Sequence, residues 1–228
     1  MRFLRRLWWQ CRRVLTLRCF QTVVLVGKNG PFREEQYHGR VDQVWGIGFA
    51  YKFHPRVDRL FCLDHRSEFI EFGEHADYIA GLNRAGIPFY AQNAWPDVPT
   101  SQAYDLDRLR RDLGAPDYYT SSIAYAFAEA IRQGYGTIVC HEIVAGFLSV
   151  EYMEQKPCLD WWAGVAFGMG INVEISERCQ IARPLWWQSE LYGYVTQDTW
   201  KAGAEIMARA YREAARLPRI FRRHADEA

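Results

Sequence analysis

Two histidines stand where imidazole chemistry could take place: His65, directly after Asp64, and His141, beside Glu142. Imidazole exchanges a proton near neutral pH, so either could take one from an acceptor hydroxyl as a general base. Glu142 is the adjacent carboxylate, but neighbours on a strand point to opposite faces, so it joins His141 only if the chain turns there. A second set of residues could hold an anion. Asn29-Gly30 can aim successive backbone N–H groups inward. Ser121 and Ser122, after Thr120, put hydroxyls and free amides at a helix start, where the helix dipole favours negative charge. Bland roles compete with each of these. Asn-Gly suits any tight turn, Ser121 or Thr120 any helix cap, and His65 an ordinary loop.

No metal site is expected. Ala145 breaks the His-Glu-x-x-His pattern, and the six cysteines form no Cys-x-x-Cys pair. They read instead as reduced core thiols. Walker, Gly-x-Ser-x-Gly and Gly-x-Gly-x-x-Gly motifs are absent, so no residue is marked as a nucleophile.

The elements that must position these groups alternate. Thr22 to Gly27 is a continuous apolar run ended by Lys28-Asn-Gly-Pro31, the pattern of a strand covered on both faces. Further strands are expected at Gln43 to Ala50, Arg59 to Leu63, Ile87 to Ala91, Thr137 to Cys140 and Ile171 to Ile175. Helices are expected at Ser67 to Asn83, Leu106 to Leu113, Ser121 to Gln133, Lys156 to Met169 and Gln197 to Arg216, with Gln92 to Thr100 a loop. Such alternation predicts an α/β fold, a three-layer sandwich around a mainly parallel sheet, whose ligands bind beyond the carboxyl ends of the strands.

At 228 residues and 49% hydrophobic, the chain is long enough for a full core without staples. Its net charge of +1 hides an uneven distribution. Arg2, Arg5, Arg6, Arg12, Arg13 and Arg18 fall among the first 20 residues with no acid, leaving 22 basic residues against 27 acidic ones in the remainder. Apolar residues recur between those arginines at helical spacing, which predicts a basic amphipathic arm. An anionic membrane, a nucleic acid or a protein surface could receive it. Three adjacent pairs, Trp8-Trp9, Trp161-Trp162 and Trp186-Trp187, cannot all face one core and suit a homo-oligomer or partner interface, or stacking on sugars and bases. No run is long enough to span a membrane, and arginines interrupt any signal-like stretch, so a cytoplasmic location is expected.

In order along the chain, Val23-Val-Leu-Val-Gly27, Asn29-Gly30-Pro31, Tyr119-Thr-Ser-Ser-Ile-Ala-Tyr125 and Ala130-Ile-Arg-Gln-Gly-Tyr135 form a pattern. It resembles the Rossmann-like family of small bacterial sialyltransferases and pterin pyrophosphokinase-like domains, most closely its phage-encoded members of unknown role. The resemblance covers about Thr22 to Tyr194. It implies that Asn29, Gly30, Ser121 and Ser122 contact a nucleotide or nucleotide-sugar donor, and that Tyr152 approaches its phosphate, with no tightly bound cofactor. Departures accompany it: Lys28 is added to the first turn, Phe32 replaces a serine, Gly48 stands where an asparagine is expected, and Val144 stands where the family carries an aspartate.

Three segments follow: an arm at 1–20, a Rossmann-like domain at 21–196, and a C-terminal helix and tail at 197–228. Two functions remain open. One is transfer of a group from an activated nucleotide, with His65 or His141 as base. The other is a catalytically degenerate Rossmann-like protein, acting as a virion component or through contacts with a host.

Overall fold

The computed structural model describes residues 18–28, 31–34, 37, 39–67, 75–143, 150–176, 179 and 181–182. Most of the arm, Asn29 and Gly30, the pairs Trp8-Trp9 and Trp186-Trp187, and the helix expected at 197–216 lie outside the described residues.

Seven strands form one sheet: β1 (Thr22–Val26), β2 (Gln43–Ile47), β3 (Arg59–Phe61), β4 (Phe89–Ala91), β5 (Ser101–Ala103), β6 (Thr137–His141) and β7 (Asn172–Ile175). Their spatial order is β5-β4-β3-β2-β1-β6-β7 and every pairing is parallel. The helices are α1 (His75–Ala85), α2 (Leu106–Leu113), α3 (Ser122–Gln133) and α4 (Val150–Gly168). This is a Rossmann-like α/β sandwich.

β1 lies inside the sheet, between β2 and β6, and its five residues are all buried. Val23 and Leu25 face one core with Leu109 of α2, Ile123, Phe127 and Ile131 of α3, and Leu159 and Trp162 of α4. Val24 and Val26 face the other, with Phe32, Leu60, Phe89 and the α1 residues Tyr78 and Leu82. Burial on both faces is the reason for the unbroken apolar run. At the foot of the sheet, a side chain on Gly136 would run into the backbone of Cys19, so only glycine lets β6 begin beside that segment.

Helix ends follow local chemistry. Asp105 caps α2 by accepting from Arg108 N–H at 2.8 Å, and Gly114, at φ 58°, closes it in the left-handed region. Gly134, at φ 83°, does the same for α3. The expected Ser121 cap forms only in backbone: Ser121 occupies the cap position, but its hydroxyl makes no cap bond. α4 begins at Val150, ahead of the expected Lys156, and carries Pro157 in its interior. β5, absent from the expected strands, extends the sheet beside β4 with half-exposed or exposed residues. No helix among the described residues is long and apolar enough to cross a membrane.

Candidate functional site

The chain visits β1 to β5 outward to one edge, then returns through α3 to place β6 on the other side of β1. The direction of travel reverses between β1 and β6, and at such a switch point the loops part and leave a crevice beyond the strands' carboxyl ends. The residues along that edge form two unlike halves.

On the β1–β6–β7 side the chain leaves β1 through Gly27. A Cβ there would come within 3.0 Å of the Glu142 carbonyl oxygen, so glycine lets the two strand ends close up. His54, from the loop after β2, then reaches both ends of the following turn. Its Nε2 donates to the Gly27 carbonyl at 2.7 Å, and its Nδ1 accepts from Phe32 N–H at 2.9 Å. Those partners fix the tautomer, because a nitrogen that accepts must be bare. His54 is only 7% exposed. Burial lowers its pKa, against the opposing pull of the Gly27 carbonyl.

His141 closes the same half. Burial lowers its pKa, with His54 adding to that effect and the Glu142 carboxylate and the Pro31 carbonyl opposing it. Its Nε2 is shielded from solvent and has no partner. The Phe32 ring stands edge-on to it at 5.1 Å, and His54 lies 6.5 Å away. Beyond them Phe32, Tyr37, Val139, His141, Glu174 and Ser176 border a cavity of about 310 Å³. Within it, burial and the Glu174 carboxylate push the Tyr37 hydroxyl up to about 12.

The other half gathers where α3 starts beside the ends of β3 and β4. Ser122 Oγ accepts from Leu63 N–H at 2.8 Å, and Gln92 donates to the Leu63 carbonyl at 2.6 Å. Ser121 Oγ is shielded and has no partner among the described residues. Asp64, His65, Arg66 and Trp95 border a second, smaller cavity of about 170 Å³. His65 is exposed, its Nδ1 2.5 Å from Ser67 Oγ. Arg66 is held by Asp97 at 2.6 Å and lies over the Trp95 ring.

The expected site residues that are described divide between the two halves. His65, Ser121 and Ser122 lie on one half of the edge and His141 on the other. Glu142 adopts φ 51°, so the chain does turn there, and its N–H is bound by Ser176 Oγ at 3.1 Å. Tyr152 lies in the first turn of α4; its side chain, with Asn29 and Gly30, is outside the described residues. Gly48, at the end of β2, has φ 55° and open space where a side chain would project.

The Trp161-Trp162 pair is divided by burial: Trp162 is fully buried and donates to the Tyr118 carbonyl at 2.8 Å, whereas Trp161 is half-buried. Tyr119 stacks on both Tyr125 and Trp162, so the aromatic groups before α3 are engaged with one another. Cys62, Cys140, Cys158 and Cys179 are buried, as expected of core thiols, whereas Cys19 is only half-buried and Cys11 lies outside the described residues. Among the described residues no group of three or more His, Cys, Asp or Glu is placed to hold a metal ion. Sequence reasoning passed over His54 because its two partners are backbone atoms, which leave no motif. Comparison with protein-family models, curated proteins and solved structures finds no match to this chain.

Proposed function

We propose that this protein binds a nucleotide-type ligand along the carboxyl edge of its sheet, as the donor in a group transfer. One observation carries the reading: the turn after β1 and the start of α3 both open on that edge, at a Rossmann-like switch point, and Ser121 Oγ there is shielded and unpartnered. A buried hydroxyl without a partner is costly, and a phosphate oxygen would relieve it. The resemblance of the first turn and of Thr120-Ser121 to sialyltransferase-like sequences supports the same ligand class. His65 is the base in this reading, since its side chain is exposed, whereas His141 is half-buried with Phe32 packed on it.

A second reading draws on Phe32 itself. Only 6% exposed, it seals the β1–β6 half with an apolar ring where the resembling family carries a serine. That favours a Rossmann-like scaffold without transfer activity, working through protein contacts. Thermal unfolding against a panel of nucleotides and sugar nucleotides separates the two. A ligand at 100 times its dissociation constant adds about 2.7 kcal/mol to the native state. The expected outcome is stabilisation by one nucleotide class, lost in Ser121→Ala. No stabilisation by any member of the panel, with the protein folded, overturns the donor reading in favour of the scaffold.

A further inference from the structure

We propose that His54 is a proton-operated latch on the turn that follows β1: neutral, it holds the turn at both ends, and protonated, it releases the Phe32 end. The geometry supplies the mechanism. The neutral ring presents one donor and one acceptor, and the turn uses both, Gly27 through its carbonyl and Phe32 through its N–H. A second proton makes both nitrogens donors. The bond to the Gly27 carbonyl then survives, while Phe32 N–H faces another N–H and loses its buried partner. Release is therefore one-sided, with Gly27 as the fixed end. Because the Phe32 ring packs against His141, its departure also uncovers that imidazole.

The described charged residues around the ring do not supply a counter-ion. From β6, His54 faces His141, with Glu142 behind it. Arg33 and Glu34 come from the segment after the turn, Lys28 from the turn itself, and Lys52, Arg56 and Asp58 from the loop that carries His54. Arg56 engages both Glu34 and Asp58, each at 2.9 Å. The ring's own bonds are to backbone alone, so among the described residues a charge on it is met by no carboxylate. Burial lowering the pKa of His54 is consistent with this, and places release on the acid side of neutrality.

Amide hydrogen exchange on the full chain, corrected for the intrinsic effect of pH, tests the latch without any ligand. Between pH 7.5 and 5.5 the Phe32 amide is expected to lose protection at least tenfold, while Val24 in β1 keeps its own. In His54→Gln, which can donate and accept but cannot titrate, that pH dependence disappears. Nitrogen NMR of the wild-type His54 ring gives a measurement that needs no variant. Its protonation midpoint should coincide with the loss of Phe32 protection. The proposal is overturned if Phe32 protection is independent of pH, if His54→Gln shows the same fall as wild type, or if His54 charges while the Phe32 amide stays protected.

Discussion

The two halves of the sheet edge use the same side-chain types for different ends. Around β1 and β6, one buried imidazole binds backbone atoms at both ends of the first turn, and an aromatic ring covers a second, half-buried one. Around β3 and α3, an exposed imidazole lies beside a shallow cavity, and a serine next to a bound one keeps its hydroxyl without a partner. A histidine whose nitrogens are both engaged by backbone is part of the frame. One that is exposed among polar neighbours is free to meet a ligand. The first half is thus expected to respond to substitution in stability, and the second in binding.

Phe32→Ser gives the largest expected break in that contrast. Truncating a buried Phe costs about 3 kcal/mol or more, whereas His65→Ala, at an exposed position, should stay within about 0.5 kcal/mol. Urea denaturation of both variants measures the difference. Equal effects would mean that the first half is no more tightly built than the second.

A change of pH acts more gently. For His54 and His141 the folded pKa lies below the unfolded one, so the unfolded chain binds more protons and stability rises with pH. This contribution is full above the unfolded value of about 6.5 and is lost as pH falls through it toward the folded values. Denaturation midpoints should drop from pH 7.5 to 5.5 in wild type, and by less in His141→Gln. An undiminished drop in that variant would remove His141 from the acid response.

Much of the frame was legible along the chain, and the reasons are local. β1 is visible because all five of its residues are buried, which demands an unbroken apolar run. α2 falls on its expected bounds because Asp105 and Gly114 mark its ends by their own chemistry. β5 was invisible: three residues at the sheet edge, none of them buried, impose no alternation. α4 starts ahead of its expected Lys156, and Pro157, a residue that favours a first helical turn, sits well inside it. At the candidate site, strand ends marked His65 and His141 in the sequence, and a helix start marked Ser121. The bonds of His54 did not show, since a side chain bound to distant backbone constrains no neighbouring residue type.

Ser121 and Ser122 sharpen the contrast within a single dipeptide, at the smallest scale. Ser122 is 5% exposed and its hydroxyl is the acceptor for Leu63 N–H. Removing it strands a buried donor, so Ser122→Ala should cost about 1–2 kcal/mol without any ligand. Among the described residues Ser121 Oγ has no hydrogen-bond partner. Ser121→Ala removes an unsatisfied group and caps no amide, so it should leave stability unchanged or raise it by a few tenths of a kcal/mol. Chemical denaturation of the two variants decides this. A loss above about 1 kcal/mol in Ser121→Ala would mean that its hydroxyl serves the fold, and the principal support for a ligand at the start of α3 would go with it.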